Sequence, residues 1–118
     1  MKIYHNPRCR KSRETLKIIQ ENTDSLKLEK LQIIEYLKTP PTKTEIKKII
    51  STLNVSAKDL VRKNESIFKN FKITTDLREN EYIDMLAKHP ILIERPIVIK
   101  DNKGVIGRPP INVLDLLK

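Results

Sequence analysis

A strand–helix–strand signal fills the first third of the chain and limits the fold more than any other feature. Lys2-Ile3-Tyr4 is a short strand-like run. Asn6-Pro7 is turn chemistry, since proline presets its own φ and restricts the residue before it. A helix is expected from about Arg10 to Glu21, with Thr15, Leu16, Ile18 and Ile19 on one side. Asn22-Thr23-Asp24-Ser25 reads as a loop. A second strand falls within Lys30–Tyr36, where Leu31, Ile33 and Ile34 are apolar and partly alternate. This order calls for a parallel pair joined by a right-handed crossover.

The last third holds two more strands. Ile97-Val98-Ile99 and Val105-Ile106 are β-branched runs, with Asp101-Asn102-Lys103-Gly104 between them as a hairpin loop. Gly107-Arg108-Pro109-Pro110 leads into a final helix, whose apolar face is expected to be Val113, Leu114 and Leu117. The middle is helical. Thr39-Pro40-Pro41 ends the second strand. Thr42-x-x-Glu45 then fits a capping box ahead of Ile46, Ile49, Ile50 and Leu53, a helical stripe. Ser56 caps a shorter helix through Ala57, Leu60 and Val61, closed by Arg62-Lys63-Asn64, and a further turn holds Ile67, Phe68 and Phe71. Another helix, from near Asn80 to Lys88 with Tyr82, Ile83 and Leu86 inward, should stop at His89, because Pro90 disfavours helical backbone before it.

The order is βαβ, helices, ββα: an α/β chain with a helical insertion, roughly 42–88, expected to pack on one side of the sheet. No linker is long enough to set the insertion apart, so residues 1–118 read as one domain.

The chemistry concentrates at the first strand–helix junction. Cys9 is the only cysteine, and Arg8, Arg10, Lys11 and Arg13 crowd around it. A helix start offers free backbone N–H groups and partial positive charge, which favour a thiolate over a thiol. Nearby cations act in the same direction, so the pKa of Cys9 should lie below the free value of about 8.5. A buried, inert cysteine is the alternative; the polar neighbours on both sides argue against it.

Charge and cysteine count narrow the classes. The net charge is +9, from 24 Lys and Arg against 15 Asp and Glu, which suits an anionic partner, either a small oxyanion or a nucleic acid. Lysines scattered over helix faces also read simply as solvated surface. There is no tryptophan and no zinc-finger or aromatic RNA-binding motif, so nucleic acid is not the expected partner. A lone cysteine with His5 and His89 falls short of a four-ligand zinc site, and no metal is expected. No apolar run approaches the ~18 residues of a membrane span, and Met1-Lys2-Ile3 opens no signal-peptide pattern. With no internal disulfide, the expected location is cytoplasmic, with no membrane partner.

These residues also carry a resemblance. The βαβ–ββα order, with cysteine at the first helix start and proline opening the third strand, resembles the thioredoxin fold. His5-Asn6-Pro7-x-Cys9-x-x-Ser12-Arg13, Tyr36-Leu37-x-Thr39-Pro40-Pro41-Thr42 and Leu60-Val61-Arg62-Lys63-Asn64 resemble the glutaredoxin-type, glutathione-dependent arsenate reductases, the ArsC-like proteins. So do His89-Pro90-Ile91-Leu92-Ile93-x-Arg95-Pro96-Ile97-Val98 and Gly107-Arg108-Pro109-Pro110. The motifs span nearly the whole chain, in the family's order.

The resemblance implies that Cys9 is the nucleophile that forms a thiol–arsenate adduct on the way to arsenite. It implies that Arg62, Arg95 and Arg108 bind the oxyanion, that Pro96 is the cis-proline facing the cysteine, and that His5 and Ser12 tune the thiolate. Guanidinium forks suit a tetrahedral oxyanion, since they pair its oxygens with charge-assisted hydrogen bonds. Ser12 stands where a Cys-x-x-Cys protein has its second thiol, so the adduct needs an outside thiol. The resemblance names glutathione, with glutaredoxin acting afterwards and no bound cofactor, in a monomeric arsenic-detoxification enzyme.

Plainer readings stand beside these. Arg62 also fits a surface position near a helix C-terminus. Arg95 and Arg108 precede prolines, which asks for extended backbone whatever their use, and the default Arg95–Pro96 bond is trans. His5 also fits a strand histidine without a catalytic part, and Ser12 a first-turn serine bonding the backbone. Two rival activities remain: a general thiol oxidoreductase of the same family, and an Spx-type redox regulator that binds RNA polymerase. The usual switch of the latter, Cys-x-x-Cys, is forbidden by Ser12. Direct DNA binding through net charge is a third and weaker rival.

Overall fold

In the computed structural model, residues 1–24, 30–62 and 77–117 are described. Their contacts gather into two groups, Met1–Thr39 with Arg95–Lys118, and Pro40–Glu94.

The first group holds a four-stranded sheet in the order β2-β1-β3-β4. Its strands are β1 (Lys2–His5), β2 (Gln32–Glu35), β3 (Ile97–Lys100) and β4 (Lys103–Ile106). β1 runs parallel to β2, with Ile3 opposite Ile33 and His5 opposite Glu35. It runs antiparallel to β3, with Ile3 opposite Val98, and β3 pairs antiparallel with β4. Helix α1 (Arg10–Glu21) makes the crossover between β1 and β2, over the span expected from its periodicity. The thioredoxin-like βαβ–ββα order expected from the sequence is the order observed.

Strand alternation sorts the core of this group. Ile3 and Val98 meet Ile19 of α1 and Val113 in a fully buried cluster. Met1, Leu16, Ile18, Leu31, Val105 and Leu116 pack around it. Tyr4 and Ile97, the next residues along β1 and β3, point to the opposite face and are also buried.

Two local expectations at this end are corrected. The hairpin turn is shorter than expected, because Lys103 and Gly104 already belong to β4. Lys100 pairs with Lys103, and Asp101 takes the left-handed conformation, φ 55°, leaving Asp101-Asn102 as the turn. The C-terminal segment is a 3₁₀ turn, Pro110–Asn112, followed by a single α-turn, α4 (Val113–Leu117). Val113 is buried as expected and Leu116 packs against the same cluster, while the expected Leu114 and Leu117 are half-buried. The α-turn starts after the 3₁₀ turn, later than the proline signal implies.

The second group contains α2 (Lys43–Leu53) and α3 (Glu79–Lys88), packed on each other. The helical insertion expected at roughly 42–88 falls within this group. The capping box at the start of α2 forms as expected. The Glu45 N–H donates to Thr42 Oγ1 at 3.2 Å, and the Thr42 N–H donates to Glu45 Oε1 at 3.4 Å. Asn54 ends α2 in the left-handed conformation, φ 55°. Tyr82, Ile83 and Leu86 are buried along α3, which stops at His89 as expected.

Ser56 opens a short 3₁₀ helix, Ala57–Leu60, its N–H and hydroxyl both 3.0 Å from Asp59 Oδ2. Val61 does not continue this helix as expected. It is extended and bridges Ile93 in antiparallel fashion. The bridge is held by Arg62 N–H to Leu92 O, 2.7 Å, and Glu94 N–H to Leu60 O, 2.6 Å. A β-branched residue favours this extended pairing over another helical turn. Leu92 itself lies in a 3₁₀ turn, Pro90–Leu92, that the sequence did not signal. The expected helical turn at Ile67, Phe68 and Phe71, and the closing residues Lys63 and Asn64, lie outside the described residues.

Among the described residues no helix is long and apolar enough to cross a membrane, and no three His, Cys, Asp or Glu side chains are grouped to hold a metal ion.

Candidate functional site

The turn after β1 brings Cys9 to the first position of α1. Its N–H closes the turn on Asn6 O at 2.9 Å, and its C=O accepts the first helical bond from Arg13 N–H at 3.0 Å. Asn6 adds an Asx turn, its Oδ1 accepting the Arg8 N–H at 3.0 Å. The N-cap residue is therefore Cys9 itself, with extended backbone at φ −94°, ψ 122°. A cysteine makes no strong side-chain cap, so the first N–H groups of α1 are left to the sulfur.

Cys9 is half-buried. Burial alone pushes its thiol up. The Ser12 N–H, the hydrogen bond and charge of the Arg95 guanidinium, and the Lys11 N–H outweigh that effect, so the pKa lies below the ordinary thiol value. The sequence expectation of a lowered pKa holds, but its source differs in part. Arg10 turns to Glu14 at 2.9 Å, and Arg13 Nη1 donates to Pro7 O at 2.9 Å. The cation that meets Cys9 comes from the far end of the sequence, just before β3.

His5 and Ser12 lie together beneath the turn, both buried. His5 Nδ1 is 2.6 Å from Ser12 Oγ, and the Asn6 N–H donates to the same oxygen at 3.0 Å. Burial lowers the His5 pKa; the Glu35 carboxylate partly opposes this and the Arg13 charge adds to it. Burial thus favours the neutral ring, and in the tautomer protonated at Nε2 its Nδ1 accepts the Ser12 hydroxyl proton. Ser12 thus serves the site twice: its main-chain N–H reaches Cys9 while its hydroxyl ties His5 to the turn.

Arg95 leads into β3 through a cis bond to Pro96, and Arg108–Pro109 is also cis. Pro96 is fully buried, and its carbonyl accepts the Gly107 N–H at 2.8 Å. A Cβ on Gly107 would sit 2.6 Å from Thr15 Oγ1 and 2.8 Å from Pro96 Cγ. Glycine is therefore what lets the end of β4, the Pro96 turn and α1 approach this closely. Thr15 Oγ1 completes the junction, donating to Lys11 O at 2.8 Å with Gly107 O also in reach at 3.3 Å.

Arg108 follows Gly107, its side chain half-buried and its carbonyl accepting from Asn112 Nδ2 at 3.1 Å. Arg62 belongs to the Pro40–Glu94 group, where the Val61–Ile93 bridge fixes its backbone. Of the candidate residues, the structure thus gathers His5, Cys9, Ser12 and Arg95 around one turn. It also supplies a neighbour to which the sequence assigned no role. Tyr36 lies just past β2 and is 1% exposed, with the Arg95 guanidinium, the Asn6 side chain and Cys9 all acting on its hydroxyl. The available signal was register: His5 pairs with Glu35, so Tyr36 falls beside the Cys9 turn.

The model of the ArsC family matches residues 4–116. The chain belongs to the ArsC family. This ArsC-family chain is 38% identical to the uncharacterized protein YfgD of Escherichia coli K12, covering 99% of this chain and 96% of that one. It is 35% identical to an arsenate reductase of Neisseria meningitidis serogroup A, covering 96% and 94%. The structure of an arsenate reductase from Vibrio cholerae matches with a TM-score of 0.87 at 35% identity, covering 98% of this chain and 97% of that one.

Proposed function

We propose that this ArsC-family protein reduces arsenate to arsenite, with Cys9 as nucleophile and an external thiol as reductant. The observation that supports it is the pairing of an ionisable sulfur at the start of α1 with the Arg95 guanidinium. The Cys9 thiolate attacks arsenic(V) and displaces one oxygen as water, forming an S–As bond. Glutathione then attacks the Cys9 sulfur, and the electron pair of the S–As bond stays on arsenic. Arsenite leaves, and Cys9 is left in a mixed disulfide with glutathione. A glutaredoxin thiol removes the glutathione and frees Cys9. Two thiols are thereby oxidised to a disulfide for each arsenate reduced.

Arg95 neutralises the approaching anion and pairs with oxygens on which charge develops. Arg62 and Arg108 are proposed as further oxyanion-binding residues, with a raised KM for arsenate expected in each alanine variant. Ser12 and neutral His5 hold the turn that aims the Lys11 and Ser12 amides at the sulfur, and Pro96 shapes the turn that presents Arg95. The chemistry needs reduced glutathione, which points to the cytoplasm.

A coupled arsenate-reduction assay with glutathione and glutaredoxin tests the reading. Turnover by the wild type that disappears in Cys9→Ser is the expected result; a wild type without turnover overturns it.

A further inference from the structure

Tyr36 is a large side chain at a position where its polar atom gains little. Its hydroxyl oxygen is sealed from solvent and makes no hydrogen bond of ordinary geometry. Such a buried hydroxyl is destabilising, and phenylalanine would fill the same space without that penalty. Yet the hydroxyl is not among apolar groups. The Arg95 guanidinium, the Asn6 side chain and Cys9 all act on it. The parallel register carries Tyr36 one step past the His5–Glu35 pair, level with the turn that delivers Cys9. Arg95 thus acts on two groups, the thiol it stabilises and the phenol oxygen of Tyr36.

We propose that Tyr36 is a positioning residue for Arg95, its buried hydroxyl fixing the guanidinium where it meets Cys9. The oxygen lone pairs face a cation whose long stem would otherwise sample several rotamers. Being sealed from water, the hydroxyl acts through Arg95 and does not itself touch substrate. The other charged or titratable groups around the turn include His5, Glu35, Arg8, Arg10, Lys11 and Arg13, none of which the substitution alters. The consequence for arsenate reduction rests on the function proposed above; the positioning itself does not.

The test reads Cys9 directly, without arsenate. The rate of Cys9 alkylation by iodoacetamide is followed against pH in the wild type, Tyr36→Phe, Arg95→Ala and the double variant. Tyr36→Phe is expected to move the midpoint upward, with a thermal midpoint at or above that of the wild type. Arg95→Ala should move it further, and adding Tyr36→Phe to Arg95→Ala should move it no more. An unchanged profile in Tyr36→Phe overturns the proposal, as does an equal shift with and without Arg95. A shift accompanied by a fall in the thermal midpoint assigns Tyr36 to the core and overturns it too. A profile that behaves as expected in a protein without arsenate turnover leaves the positioning standing and removes only the substrate.

Discussion

His5 Nδ1 and Ser12 Oγ meet at 2.6 Å inside the turn that carries Cys9, and both side chains are buried. Ser12→Ala deletes this bond and leaves the Asn6 N–H without its acceptor. Two polar groups stranded in a buried turn should cost about 1–3 kcal/mol each if neither relaxes to water. Urea denaturation should show that loss, and Cys9 alkylation should slow as the turn loosens.

Acid should weaken the fold through the same ring. Burial holds the His5 pKa below its unfolded value, so the unfolded chain binds the proton first as pH falls. The contribution is fully present above an unfolded pKa of about 6.5 and is lost as pH falls toward and through the folded value. His5→Asn should flatten the stability–pH curve in that window. An unchanged slope, measured by urea midpoints across it, would refute the assignment.

Arg95 is the side-chain cation that supports the Cys9 thiolate. Removing one oxyanion donor from such a site costs about 2.7–4 kcal/mol. Arg95→Ala should therefore lower kcat/KM for arsenate by roughly 10²–10³-fold. Lysine keeps the charge but not the planar fork, so Arg95→Lys should recover only part of this.

Gly107 tests the junction behind the site. In Gly107→Ala the new methyl meets Thr15 Oγ1 at 2.6 Å, Pro96 Cγ at 2.8 Å and Thr15 Cγ2 at 2.9 Å. Overpacking of this kind costs about 1–3 kcal/mol. Thr15→Ala removes two of the three clashing atoms, so the double variant should be more stable than the two single losses added together. Strict additivity in thermal denaturation would count against this geometry.

The capping box of α2 supplies a control away from Cys9. Thr42→Ala should cost about 1 kcal/mol in urea denaturation and leave the pH profile of Cys9 alkylation unchanged.

Most elements were readable because their causes are local. α1 follows from a helical stripe after a proline turn, α2 from Thr42 and Glu45, and the end of α3 from Pro90. Each signal acts over three or four residues, the range of a hydrogen-bonded turn. Readings failed where a distant strand competed with local propensity. Val61 left its expected helix for a bridge to Ile93, and Lys103 and Gly104 joined β4.

The site divides in the same way. By itself the sequence determined that Cys9 begins a helix, and so that main-chain amides would face its sulfur, because a helix start exposes its first N–H groups whatever surrounds it. Only the tertiary structure decided which cation meets that sulfur. Arg8, Arg10, Lys11 and Arg13 were the nearest in sequence, yet Arg10 and Arg13 take Glu14 and Pro7 as partners. Arg95 reaches Cys9 because β3 lies against β1, and Tyr36 arrives beside it because β2 pairs with the other edge of the same strand. Charge acts through space, and strand pairing sets which residues share that space.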